Sequence, residues 1–274
     1  MNYFKTFLLM VLMGALFLGI GYIVGGEGGM AIALVLAVLF NFGMWFYSDK
    51  LVLSMYKAQE VDERSHPNYY NMVKMLAANA EIPMPKVYIV PSDVPNAFAT
   101  GRDPNHAAVA ATSGILRILS HEELEGVMAH ELTHVKNRDS LIMTIAASVT
   151  TAIMFLTRFA LWFGRGRDNP LGLIGLLLMV ILAPIAAILI KSAISRTREY
   201  AADRGGAEIS GKPQALASAL AKISGINQNI KDNPLADNTT AHLWIASPLS
   251  GGGIMNLFST HPPTEERIKR LMEM

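Results

Sequence analysis

Four long apolar stretches decide what this chain can fold into. Residues 6–24 are uncharged and long enough, at 1.5 Å per helical residue, to cross a bilayer. Residues 30–47 follow after a glycine-rich turn, with Asn41 as their strongest polar interruption. Residues 171–190 form the clearest span, broken only by Pro184, which neighbours in a bundle accommodate. Residues 141–163 are punctuated by Thr144, Ser148, Thr150, Thr151, Thr157 and Arg158, so a buried helix of a soluble domain stays open as the alternative there. Of the 274 residues, 51% are hydrophobic and only 16% charged, a balance that excludes disorder and is unusual in a soluble domain of this size. The chain therefore reads as a membrane protein carrying one modest polar domain.

The first stretch is preceded by a single Lys5 and exceeds the usual apolar run of a secretion signal. With no small-residue cleavage site ahead of the second stretch, the pair is expected to stay as a hairpin. Its turn, residues 25–29, holds one glutamate and no lysine or arginine, whereas Lys50, Lys57, Lys136, Arg138, Lys191, Arg196 and Arg198 flank the other ends. This bias places the polar sequence and both termini in the cytoplasm. Arg165 and Arg167, in the turn between the last two stretches, run against it and leave a tilted or partly re-entrant hairpin as the alternative to full crossing. A net charge of +1 gives no electrostatic case for nucleic acid, and the lack of cysteine removes disulfides, thiolate zinc sites and thiol nucleophiles together.

The polar sequence comes in two pieces interleaved with the spans, expected to assemble into one domain seated on them. In the first piece, residues 68–80 read as a helix ended by Pro83 and Pro85, and residues 86–90 as a strand. Residues 97–100 and 107–111 read as two more strands around a turn. Ser120 and Glu123 form a capping box that starts a helix running through Val135. In the second piece, residues 198–207, 213–223 and 264–274 read as helices, and residues 227–259 as a long loop rich in Asn, Pro, Ser and Gly.

Inside the capped helix lies His130-Glu131-Leu132-Thr133-His134. Residues four apart share a helical face, so both imidazoles can reach one ion, while Glu131 is turned about 100° away, free to act on a metal-bound water. Zinc at such a site keeps three protein ligands and one open position. The extended form of the motif needs a glycine at 137 and a histidine at 140; Asn137 and Ser140 stand there instead. The best carboxylate candidate is Glu199, which shares a helix face with Asp203, so that one of the pair can bind metal while the other orients a ligand histidine. His134 lies just before the third apolar stretch and Glu199 just after the fourth. An antiparallel hairpin would bring them together at one membrane face.

Together with these motifs, Asn96-Ala97-Phe98-Ala99-Thr100-Gly101, Asn137-Arg138-Asp139, Glu199-Tyr200-Ala201-Ala202-Asp203 and His261-Pro262-Pro263 with Arg267 downstream make the chain resemble, over essentially its whole length, the HtpX group of integral-membrane zinc metallopeptidases, relatives of the CAAX prenyl endopeptidases. The resemblance implies an α+β, predominantly α-helical fold. It would be a zincin-like (gluzincin) domain with a small sheet, seated on a bundle of about four transmembrane helices. The expected layout is a transmembrane hairpin over 1–47, the first catalytic part over 48–140, a second hairpin over 141–190 and the second catalytic part over 191–274. One zinc ion per chain would be held by His130, His134 and Glu199, with Glu131 as general base. Asp203 would support a ligand. His261 would steady the oxyanion, aided by Arg267. Asn96, Ala97 and Phe98 would bind substrate as an edge strand. The implied activity is endopeptidase cleavage of misfolded or damaged polypeptides, chiefly membrane proteins, at the cytoplasmic face of a prokaryotic inner membrane under stress. A prenyl-type processing protease and a non-proteolytic metal-binding or scaffold protein are the alternatives. No span carries the ladder of ionisable residues that an ion pathway requires, and a structural zinc site has no use for Glu131.

Overall fold

The computed structural model describes residues 2–145, 196–229 and 262–274. Helical residues run from Asn2 to Met55 (α1). The run cannot be straight. Asn41 Nδ2 donates to the Met10 carbonyl at 3.2 Å across 31 residues, which a straight helix would separate by about 46 Å. The rings of Phe17 and Phe40 sit 5.4 Å apart, and Gly26 takes φ +59°, a left-handed conformation that glycine adopts without steric cost. The chain therefore doubles back at the glycine-rich turn. Among the described residues, one helical stretch, Gly26–Met55, is long and apolar enough to cross a membrane. Its side chains are largely uncovered: Ile32, Val38, Leu39 and Phe42 are each at least 60% exposed, a surface suited to lipid rather than water. Of the two later apolar stretches, residues 146–195 lie outside the described residues, and a bundle of four is not established.

A four-stranded mixed sheet follows: β1 (Gln59–Val61), β2 (Lys86–Val90), β3 (Ala97–Gly101) and β4 (Ala107–Thr112), in spatial order β1-β2-β4-β3. Only the β2–β4 pair is parallel. Both faces are covered. Ala97, Ala99, Val109 and Ala111 face one core with α2 (Pro67–Asn79) and α4 (His121–Lys136). Phe98, Ala108 and Ala110 face a second core made by Val52, Leu53 and Tyr56 at the foot of α1 and by Leu141, Ile142 and Ile145. The alternation is the period of two expected of a strand. The sheet is thus a layer between the apolar hairpin and the helical domain.

Two elements carry no advance signal. β1 is three residues long and has no hydrophobic alternation; α3 (Ser113–Ile118) is a six-residue helix capped by the Thr112 hydroxyl, which accepts from the Ile115 N–H. Among the described residues, the helical stretch at 139–145 is followed by α5 (Arg196–Ser210), α6 (Pro213–Asn229) and α7 (Thr264–Met272). Glu123 does double duty: it closes the capping box of α4 with Ser120 and binds Ser218 and Lys222 of α6. Helices α4 and α5 approach closely because Gly205 and Gly206 leave room. A Cβ on Gly206 would stand 2.9 Å from the His130 Cα, and one on Gly205 2.5 Å from Thr133 Cγ2.

Candidate metal centre

Helix α4 is fixed at its start by the Ser120–Glu123 box and buried along nearly its whole length, which holds His130 and His134 one turn apart on the same face. Their rings meet edge to face with centroids 4.8 Å apart. Across the glycine contact, α5 brings Glu199, whose Oε2 lies 3.8 Å from His130 Nε2 and whose Oε1 lies 3.6 Å from His134 Nε2. One donor atom from each of the three residues falls within 4.8 Å of the others, and all three side chains are buried. Two imidazole nitrogens and a carboxylate oxygen at such separations match a zinc donor set with bonds of about 2.0–2.2 Å after small adjustment.

Charge makes the same case. Glu131, Asp139, Glu199 and Asp203 are buried carboxylates in this cluster, facing the guanidinium groups of Arg198 and Arg267. With both imidazoles neutral, as ligation requires, and all four carboxylates ionised, the formal balance is −2, which a divalent cation neutralises. Buried charge without such compensation is costly.

The surrounding contacts orient the ligands. Asp203 Oδ1 lies 3.0 Å from His130 Nδ1, leaving Nε2 on the side of Glu199. Arg267 of α7 grips Asp203 with a two-pronged contact, Nε donating to Oδ2 at 2.8 Å and Nη2 to Oδ1 at 2.6 Å, and its Nη1 stands 3.8 Å from Glu199. Against the cost of burial, that guanidinium holds Asp203 well below the usual carboxylate range. His134 Nδ1 meets Asp139 Oδ2 at 3.3 Å, a partner that no motif spacing had singled out. A carboxylate five residues past the second histidine was the available signal. His261 lies outside the described residues.

Glu131 is buried beside the two histidines. Burial, with the Glu199 charge adding to it against the pull of His134, pushes its carboxyl up to about 8 in the metal-free chain. The Ala99 backbone N–H donates to it. Strand geometry explains why that N–H is available. The Asn96 carbonyl accepts from the Thr112 N–H at 2.9 Å, so residues 96, 98 and 100 turn their backbone groups towards β4. Ala97 and Ala99 turn theirs the other way, to the outer edge of the sheet. Asn96 is buried, its own N–H bonded to Thr112 Oγ1, and the Phe98 side chain packs on Tyr56 with ring centroids 5.1 Å apart, away from the metal centre.

A pH dependence follows. Burial alone would lower His134, but Asp139, Glu199 and Glu131 together raise it to about 9 in the metal-free chain. A ligand imidazole must be neutral, so below that pH zinc competes with a proton. Apparent zinc affinity is expected to rise from pH 6.5 to pH 8.5, approaching tenfold per pH unit for one displaced proton. Competition against a chromophoric chelator at several pH values checks this; a flat profile contradicts it.

The model of peptidase family M48 matches residues 63–274. Two proteins described as "Protease HtpX homolog" are each 58% identical to this chain across its whole length: one from Methylibium petroleiphilum, 98% covered, and one from Paraburkholderia phytofirmans, 97% covered. Among solved structures, the crystal structure of S. mikatae Ste24p is similar with a TM-score of 0.54 at 19% identity over 98% of this chain. The chain spans 65% of that protein's length, and the likeness is one of fold.

Proposed function

The chain belongs to peptidase family M48 as an HtpX-like zinc metalloendopeptidase, and we propose that it cleaves misfolded or damaged membrane proteins at the cytoplasmic face of a bacterial inner membrane. The observation that carries the reading is the convergence of His130, His134 and Glu199, with a second buried carboxylate, Glu131, set between the ligand helix and the edge of a sheet. A structural metal site needs the first three and has no use for the last.

His130, His134 and Glu199 would hold the ion. Bound there, zinc supplies Lewis-acid activation of water and of a peptide carbonyl. The protein's own groups supply the rest. Glu131 accepts a proton from the attacking water and returns it to the departing amine; its bond from the Ala99 N–H keeps it beside the strand edge. The outward backbone groups of Ala97, together with the Ala99 carbonyl, offer an extended polypeptide a partner to pair with, which suits cleavage of unfolded segments with little regard to sequence. Asn96 anchors that edge strand to Thr112 and would hold substrate at one end of it. Asp203, clamped by Arg267, keeps the His130 ring in place. His261 is assigned to the oxyanion on resemblance.

The exposed apolar helix supports a membrane seat, and the lysine and arginine bias of the polar flanks supports a cytoplasmic catalytic domain. In this reading the stretches at 141–163 and 171–190 complete a multi-pass bundle, and the strands and helices over 48–140 and 191–274 form one catalytic unit. The test is metal removal. Purified in detergent, the full chain is expected to cleave casein, to stop after zinc is chelated, and to resume when zinc is returned. Zinc-loaded protein that cleaves neither casein nor itself would move the non-proteolytic reading to the front.

A further inference from the structure

We propose that Asp139 and Arg198 are positioning residues for His134, matching on that ligand what Asp203 and Arg267 do on His130. The proposal rests on the zinc reading above and deepens it. Both ligand histidines meet a buried carboxylate through Nδ1: His130 has Asp203 at 3.0 Å and His134 has Asp139 at 3.3 Å. Each carboxylate is in turn faced by an arginine, Arg267 on Asp203 and Arg198 Nε at 3.9 Å from Asp139 Oδ1. The two relays come from different parts of the chain. One joins α4, α5 and α7; the other joins the end of α4 to the first turn of α5.

The backbone is bent to make the second contact. Helix α4 closes with the Asn137 N–H donating to the Thr133 carbonyl at 2.9 Å and the Arg138 N–H to the Val135 carbonyl at 3.0 Å. Arg138 then takes φ +60°, a left-handed conformation costing a non-glycine residue on the order of 1 kcal/mol. This single reversed residue ends α4 and returns the chain, so that Asp139, the first residue of the next helical stretch at 139–145, comes under His134 instead of continuing away from it. Without that turn the carboxylate would lie further along the helix, out of reach of the ring.

The chemical consequence is a fixed tautomer. With Nδ1–H donated to Asp139, the His134 Nε2 lone pair is left on the side of Glu199 Oε1, 3.6 Å away. A carboxylate on the far nitrogen also makes the imidazole a more basic ligand. Arg198 directly precedes Glu199, and Asp139 lies five residues past His134. One contact therefore ties two of the three ligands to the points where the chain departs for, and returns from, its third and fourth apolar stretches.

The test uses the full chain in detergent, stripped of metal and titrated with zinc against a competing chelator, with cobalt substitution as a spectroscopic readout of ligand geometry. Asp139→Ala is expected to bind zinc about 10–100-fold more weakly and to shift the cobalt absorption bands. Asp139→Asn, which keeps an acceptor oxygen for Nδ1–H, is expected to recover most of that loss, a rescue that a merely space-filling role would not produce. If Asp139→Ala does not fold, Arg198→Met gives the answer: weakened zinc binding supports the relay. Zinc affinity within twofold of wild type in the folded variants, with unchanged cobalt bands, overturns the proposal while leaving the zinc site intact. A wild-type chain that takes up no zinc overturns both.

Discussion

Glu131→Gln is expected to keep one zinc ion per chain and to lose casein cleavage by roughly 10²–10⁴-fold, the range for removing a positioned general base. The substitution is close to isosteric. It removes the group that accepts a proton from water and leaves His130, His134 and Glu199 untouched. It also removes one of the four buried carboxylates of the cluster. Because burial already pushes the Glu131 carboxyl up to about 8 before metal loading, the neutral amide replaces a largely uncharged group, and the apo variant is expected to be no less stable than wild type. Self-cleavage in the zinc-loaded state should disappear with casein cleavage, since both use the same base. Activity within a few-fold of wild type, in protein carrying stoichiometric zinc, would take the base away from Glu131.

Arg267→Met should cost about 3–5 kcal/mol of stability, the penalty for breaking a buried ion pair by removing one partner. Arg267 is only 1% exposed, and its guanidinium serves two carboxylates, Asp203 through a two-pronged contact and Glu199 at 3.8 Å. The arginine links α7 to the metal centre. At about 2–4 °C per kcal/mol for a chain of this size, the melting temperature of the full chain in detergent should fall by on the order of 10 °C. Arg267→Lys keeps the charge but not the planar fork, so it should recover part of the loss and not all. A melting temperature within a degree or two of wild type for Arg267→Met would mean the pair contributes nothing net.

The ligand helix was legible because its signals are local: the Ser120–Glu123 box sets its start, and the spacing of His130 and His134 sets a face. Strands β2, β3 and β4 were legible for the same reason, from short apolar runs between turn residues. Glu199 and Asp203 were legible as a pair, but spacing alone could not say which would face the ion. That depends on how α5 rolls against α4, which is set by Gly205 and Gly206 beneath Thr133 and His130. The Asp203–Arg267 clamp spans 64 residues and was not legible: the resemblance implied Arg267 as an aid to His261 and Asp203 as support for a ligand, but not their pairing. Asp139 was not legible as a ligand's partner, because its position depends on one left-handed residue, Arg138, and a sequence does not announce φ +60° at an arginine. Nor could strand patterning foresee that Ala99, rather than Ala97 or Phe98, gives its N–H to Glu131. That follows from which residues of β3 bond to β4, a matter of register.

One zinc ion is expected to sit between two imidazoles and the Glu199 carboxylate. The most direct measurement is zinc K-edge extended X-ray absorption on the full-length, zinc-loaded Glu131→Gln chain, which cannot consume itself. Four-coordinate zinc with two imidazole nitrogens at about 2.0–2.1 Å and the remaining ligands oxygen at about 2.0–2.2 Å is the predicted result. A third imidazole in the shell, or fewer than two, would contradict it.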